Sequence, residues 1–243
     1  MIVLKLPKNK GIRACAFMFL FFLALVLRAA GPKTWLAASS TLKPLDRVRT
    51  TERQVAITID ITWGESVPAK VLEALKDTGI DATLFFSGPW CETYPEMLAG
   101  AAKEGFEIGN LGYRYVQMTR LDQSEIASEI ASTHEIISQI TGRAPNLFRP
   151  PAGTYNDAVI SAALDNGYVT VTYSLDASRW LRYGAEGMAK QVARRVRPGD
   201  IIVFAGSDGC PETPDAIRHL VALLRDKGFE PVAVGDLLKL DTD

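Results

Sequence analysis

Residues 55–65 read Val-Ala-Ile-Thr-Ile-Asp-Ile-Thr-Trp-Gly-Glu. The run 55–59 is short, apolar and rich in β-branched residues, which predicts a buried strand. Beyond Asp60 the pattern changes period: Val67, Val71, Leu72 and Leu75 share one face of a helix over 67–76. The same alternation repeats to the end of the chain. Strands are predicted over 81–86, 107–110, 146–149, 169–173, 201–204 and 229–234. Helices are predicted over 95–104, 122–141, 158–166, 185–196 and 214–227. Asp122 with Glu125 three residues on forms a capping-box start for the third of the six helices, and Gly142 ends it. Seven strands separated by helices imply an α/β fold of parallel βα units. Its functional face lies at the C-terminal ends of the strands.

Composition supports a globular body. The 243 residues are 47% apolar and 23% charged, too apolar for disorder and too varied for a fibre. Three cysteines exclude a disulfide scaffold or a Cys-rich zinc module. Only two histidines are present, His134 and His219, so no site that needs three can form. Both fall on predicted outer helices, where surface or packing roles are expected. Residues 1–50 hold nine of the 27 Lys and Arg and one of the 28 Asp and Glu, a net of +8 against −9 for the remainder. An acidic body argues against nucleic acid as a partner.

The basic end carries an uninterrupted apolar run, 14–27, preceded by Lys5, Lys8, Lys10 and Arg13. Extended over 12–30 with both flanking arginines snorkelling, it is a helix of about 28 Å, close to the ~30 Å hydrocarbon core. The positive-inside rule keeps its basic end in the cytoplasm and exports the rest. The expected reading is a signal-anchor over 1–30 and a Pro-containing linker over 31–52. The alternative is a cleaved signal peptide, with Ala37-Ala38-Ser39 offering small residues for cleavage. The body is then membrane-anchored on the extracytoplasmic face, or secreted.

Loops after the strands hold the residues most suited to chemistry. They include Trp63-Gly64, the run 85–90 (Phe-Phe-Ser-Gly-Pro-Trp), the run 148–156 from Phe148 to Asn156, and the run 197–202 (Arg-Pro-Gly-Asp-Ile-Ile). On these the chain resembles the NodB-homology polysaccharide deacetylases, which remove acetyl groups from cell-wall glycans. Within them it is most similar to the PdaB-type sporulation subgroup. The resemblance covers about residues 53–240. It implies a distorted (β/α) barrel of about seven parallel strands with outer helices over 53–243, preceded by one N-terminal membrane-spanning or signal helix.

The resemblance also implies a divalent metal such as zinc, a catalytic base, an arginine that steadies the base, and a histidine as general acid. Asp60, Arg149 and Asp176 stand at retained catalytic positions. The three metal-ligand positions carry Ile61, Leu111 and Tyr115, the general-acid position carries Ala205, and Arg179 replaces an aspartate. A metal can bring the pKa of bound water down from 15.7 to about 7. An aspartate near pKa 4 does not supply that by itself, and an alanine donates no proton to a leaving amine. No metal cofactor and no catalysis are therefore expected. An active enzyme with an altered site and a structural scaffold are the alternatives.

Trp63, Trp90, Tyr115, Tyr155 and Trp180 offer aromatic faces suited to sugar rings, and so does Tyr113 beside Tyr115, although Trp180 reads better as core. Arg179 adds a cation for Asp60, Asp176 or an anionic wall group, and Pro150 shapes the turn after its strand. Cell-wall glycan or an envelope protein is the expected partner. Cys91 and Cys210 both follow strand ends, where a disulfide, a free-thiol state or an unusual metal site with Asp60 is possible in an exported chain.

Overall fold

The computed structural model describes residues 42–239. The apolar run 14–27 and the expected linker up to 41 lie outside them. Among the described residues no helix is long and apolar enough to cross a membrane.

One sheet of parallel strands runs through the body. The strands are β1 (Gln54–Ile61), β2 (Thr83–Phe86), β3 (Glu107–Asn110), β4 (Leu147–Phe148), β5 (Val169–Thr170), β6 (Leu175–Asp176), β7 (Ile201–Ala205) and β8 (Glu230–Val232). Their order is β5-β4-β3-β2-β1-β7-β6, with β8 paired to the start of β1. β8 contains Pro231, which donates no ladder hydrogen bond. It is tolerated because β8 pairs with β1 alone.

β1 alternates as a strand buried on both faces must. Val55, Ile57, Ile59 and Ile61 pack in the layer between sheet and helices, together with Val71, Leu75, Phe86 and Leu220. Ala56 packs on the opposite face, with Phe85, Leu111, Leu147, Val171 and Ile201. By the same alternation Thr58 and Asp60 also belong to that inner face.

The main helices are α1 (Ser66–Thr78), α2 (Gly88–Thr93), α3 (Pro95–Lys103), α4 (Gln123–Thr141), α5 (Asp157–Asp165), α6 (Gly184–Ala193), α7 (Thr213–Asp226) and α8 (Val234–Lys239). The capping box of α4 is formed in both directions: the Glu125 N–H donates to Asp122 Oδ1 at 2.9 Å and the Asp122 N–H to Glu125 Oε2 at 2.9 Å. Gly142 follows in the left-handed region at φ 71°.

The structure departs from the sequence expectation in several places. Among the described residues the seven expected strands are joined by an eighth, because Leu175–Asp176 pairs with β7 as a separate two-residue strand. The strand expected over 146–149 pairs only at Leu147–Phe148, since Pro150 and Pro151 follow and supply no N–H. The strand expected over 169–173 keeps its ladder with β4 only through Thr170. The Val171 N–H still donates to the Phe148 carbonyl at 2.8 Å, but beyond it the chain pairs with Leu45 on the outer edge of β5, where the Thr172 N–H donates to the Leu45 carbonyl at 2.7 Å. Helix α8 was not anticipated, since the strand expected over 229–234 pairs only over Glu230–Val232, and neither was the short helix α2. Pro89 stands in its first turn, the place where a missing N–H costs nothing.

Residues 45–48, from the expected linker, lie in the body. Besides the Leu45 bridge, Arg47 Nε donates to Asp200 Oδ1 at 2.6 Å, and the buried Val48 donates its N–H to the Gly199 carbonyl at 2.9 Å. Gly199 is required there. Its φ is +77°, and a Cβ would stand 1.9 Å from the Val48 carbonyl oxygen.

Candidate functional site

At the C-terminal ends of the strands opens a cleft of about 310 Å³. Asp60 and Thr62 at the end of β1, Ala205 and Ser207 at the end of β7, and Asp176 and Ser178 after β6 line it. Tyr115, Ala152 and Tyr173 complete the wall.

Arg149 builds the floor from behind. Its side chain has no exposed surface. Nη1 donates to Asp60 Oδ1 at 2.7 Å and to Thr58 Oγ1 at 2.9 Å, and Nη2 donates to the Thr172 carbonyl at 3.1 Å. Nε reaches the Val171 carbonyl at 3.4 Å. The guanidinium also lies over the Phe85 ring, 4.1 Å from its centre. One side chain thus ties the end of β1 to the segment between β5 and β6. Burial pushes the Asp60 carboxyl up from the usual carboxylate range, and the nearby charge of Asp176 adds to this. The Arg149 charge and hydrogen bond oppose the shift without cancelling it.

The two phenols are neutral donors at ordinary pH. Burial, reinforced by the charge of Asp60, pushes Tyr115 up to about 12. Tyr173 is raised by burial and by the charges of Asp176 and Asp60. The Ala152 N–H donates to Tyr115 Oη at 3.3 Å, and Tyr173 Oη donates to the Ala152 carbonyl at 3.3 Å. Tyr115 and Ala152 both have φ of 54°, and they are the only non-glycine residues with positive φ among those described. Two strained backbone positions therefore meet at the cleft wall.

The expected site residues divide into three groups. Asp60, Asp176 and Tyr115 line the cleft, with Arg149 directly behind Asp60. Trp63 and Tyr155 are 56% and 45% exposed on loops at the same ends of the strands, outside the cleft lining. Trp90, Tyr113, Pro150, Arg179 and Trp180 also lie outside that lining, Trp90 because it is buried in the helix-side core with its indole N–H donating to the Gly64 carbonyl at 2.7 Å. The Tyr113 hydroxyl donates to Glu92 Oε2 at 3.0 Å, and its ring covers Gly88. Pro150 is buried. Trp180 packs on the helix-side core beneath the Arg195 guanidinium. Arg179 stands 3.7 Å from Asp176 Oδ2, with its side chain 74% exposed.

Thr62, Ala152, Tyr173, Ser178 and Ser207 line the cleft and were not singled out in the sequence. Each follows a strand end by a few residues, but small hydroxyl residues are common in such loops and carry no signal of their own. His134 is bonded through Nδ1 to Tyr168 Oη at 2.7 Å on α4, a packing role, and His219 is exposed on α7.

The donor set does not fit a divalent metal. Ile61 and Leu111 have no exposed surface, and neither lines the cleft. Ile61 belongs to the helix-side core, Leu111 to the inner core. Of the three family ligand positions only Tyr115 reaches the cleft, and its phenol stays protonated. Ala205 presents a methyl group. Among the described residues no group of three His, Cys, Asp or Glu side chains is placed to hold a metal ion.

Cys91 and Cys210 are free thiols, and burial pushes the Cys91 thiol up to about 12. Cys91 in the native chain is expected to resist iodoacetamide at pH 8 and to react once unfolded, read by mass spectrometry of its peptide. Native labelling as fast as that of a free thiol would contradict its burial.

Residues 47–171 match the family model described as Polysaccharide deacetylase. A peptidoglycan-N-acetylglucosamine deacetylase of Bacillus cereus is 29% identical over 191 residues, covering 77% of this chain and 89% of that protein. The uncharacterized protein YlxY of Bacillus subtilis is 28% identical over 196 residues, 81% of this chain. The chain spans 60% of the length of YlxY. Among solved structures, a CE4 family pseudoenzyme from Bacillus anthracis superposes with a TM-score of 0.76 at 26% identity, covering 81% of this chain and 69% of that one.

Proposed function

The chain belongs to the polysaccharide deacetylase family, and from that premise we propose that it is a non-catalytic member that binds cell-wall glycan in the cleft around Asp60. One observation carries the reading: the positions where the family keeps an aspartate and a histidine for its metal hold Ile61 and Leu111, fully buried in apolar core. An active deacetylase and a pseudoenzyme both stand among the relatives, and these two side chains favour the second. Ala205 adds to this, because a methyl group cannot protonate a leaving amine.

Glycan is favoured over a purely structural role by what remains. The cleft is lined with hydroxyls and phenols, and Trp63 and Tyr155 expose aromatic surface on the same face. Apolar sugar faces pack on such rings, and sugar hydroxyls exchange hydrogen bonds with such groups. The reading puts the body outside the cytoplasmic membrane, where peptidoglycan is found. The anchoring role expected for 12–30 is part of the same proposal.

The test uses the full-length chain. Acetate release from peptidoglycan and from N-acetylglucosamine oligomers is measured with added Zn²⁺, Co²⁺ or Mn²⁺, beside co-sedimentation with insoluble peptidoglycan. No acetate is expected, with saturable co-sedimentation. The double variant Trp63→Ala/Tyr155→Ala is expected to bind roughly fivefold more weakly, the scale of about 1 kcal/mol. Acetate release that vanishes in Asp60→Asn would overturn the non-catalytic reading. No binding to glycan would overturn the glycan reading and leave a scaffold or protein-partner role.

A further inference from the structure

The charges of the cleft bear on which form of a glycan it takes. Two carboxylates, Asp60 and Asp176, line it, and no lysine, arginine or histidine does. Arg149 lies behind Asp60 without exposed surface, and its donors are taken up by Asp60, Thr58 and the carbonyls of Val171 and Thr172. Its bond occupies Asp60 Oδ1 and leaves the other carboxylate oxygen for a ligand. Asp176 is similar. Its Oδ1 accepts the Ser178 N–H at 3.0 Å, while Oδ2 has only the largely solvated Arg179 at 3.7 Å.

The negative charge is felt across the cleft. Asp176 acts on Asp60 and both act on the Tyr173 phenol, opposed by Arg149 at Asp60 and by Arg149 and Arg179 at Tyr173. In a site of low dielectric, like charges facing one another are costly, and a cation between them is attracted to both. Arg149 meets Asp60 only from behind and Arg179 stands 3.7 Å from Asp176 with most of its side chain in solvent, so neither lines the cleft between the two carboxylates. The hydroxyls of Tyr115, Tyr173, Ser178 and Ser207 surround the two carboxylates.

Resting on the glycan-binding reading, we infer that the ligand of this cleft is a sugar with a free, protonated amine, a de-N-acetylated glycan, rather than its N-acetylated form. An ammonium group brings a full charge and three donors for the free oxygens of Asp60 and Asp176. An acetamido group brings one uncharged N–H and a carbonyl oxygen. The cleft thus discriminates by matching one state and leaving the other unpaired.

The probes are the tetramer of glucosamine and the tetramer of N-acetylglucosamine, titrated calorimetrically into the full-length chain at pH 6 and moderate salt. The free-amine tetramer is expected to bind at least tenfold more tightly. Asp176→Asn is expected to abolish that preference, because asparagine still accepts the Ser178 N–H but removes the charge. Asp60→Asn is expected to act in the same direction. Asp165→Asn, at the exposed end of α5, is the control for adsorption of a polycation to an acidic protein, and it is expected to leave the preference unchanged. Equal affinity for the two tetramers, or preference for the acetylated one, overturns the inference and leaves glycan binding standing. So does a preference that Asp165→Asn weakens as much as Asp176→Asn. Binding of neither tetramer overturns both.

Discussion

Arg149→Met is expected to destabilise the fold by about 3–5 kcal/mol, the usual consequence of removing one partner from a buried ion pair. For a body of this size that is a fall in Tm of roughly 6–20 °C. Methionine nearly fills the volume, so the loss is electrostatic and not a cavity. It leaves the Asp60 carboxylate uncompensated, and the Thr58 hydroxyl and the carbonyls of Val171 and Thr172 lose their donors. The double variant Asp60→Asn/Arg149→Met is expected to lose less than the single one, because the isolated charge is gone. The loss also has a pH signature. Burial already holds the Asp60 carboxyl above its ordinary range, and without Arg149 it rises further. A raised folded-state value means the protonated native form is favoured. The charge-related part of the penalty is therefore absent below the unfolded carboxylate range and grows as pH climbs through the raised value, while the loss of the donors to Thr58, Val171 and Thr172 persists at every pH. Urea unfolding at pH 5 and pH 8 checks both points. A loss under about 1 kcal/mol at both, or a double variant worse than the single, would show that Arg149 is not the tie between β1 and the β5–β6 segment.

The alternation of apolar strands and amphipathic helices was legible because each element repeats its period several times. The β1 run, the helix faces and the Asp122–Glu125 capping box all carry local signals. What was not legible depends on the third dimension. Leu45 and Val48 look like linker, yet they pair with the body, Leu45 along the free edge of β5 and Val48 at Gly199 just before β7, partners that are distant in sequence. Tyr113 and Tyr115 are two residues apart and equally aromatic. One turns to α2 and Glu92, the other into the cleft, since Tyr115 adopts a left-handed backbone that no propensity announces. Asp60 and Arg149 were readable as an ion pair from family positions, but the bonds of Arg149 to Thr58 and to the carbonyls of Val171 and Thr172 come only from the fold. The hydroxyl lining of the cleft gave no sequence signal at all, because Thr62, Ser178 and Ser207 are ordinary loop residues.

Ile61→Asp is expected to be the most damaging single change, costing about 4 kcal/mol or more. Ile61 has no exposed surface and packs with Ile59, Phe86 and Trp90 on the helix side of β1. Its Cγ1 would stand 3.1 Å from a Cβ built on Gly206, so the glycine is part of how the side chain fits. Shortening an aliphatic side chain there forfeits about 2–5 kcal/mol, and a carboxyl without a partner adds about 1–3 kcal/mol even when neutral. Ile61→Val, which keeps the shape, is expected to cost only about 0.5–1.5 kcal/mol. The aspartate would take up a proton rather than lie charged in the core, so its folded-state pKa is raised. The variant is then least unstable at low pH and loses further stability as pH rises through that value. Chemical unfolding of both variants at pH 5 and pH 8 is the measurement. A loss under about 1 kcal/mol with no pH dependence would mean that the side chain at 61 reaches water in the cleft, and the non-catalytic reading would lose its main support. The expected result has a wider meaning for the site. A carboxylate at this position is tolerable only where a bound cation compensates its charge, whereas an isoleucine stabilises the sheet with no ion present. The two uses of residue 61 exclude each other, and with Leu111 equally buried on the other face, this chain has committed both positions to packing.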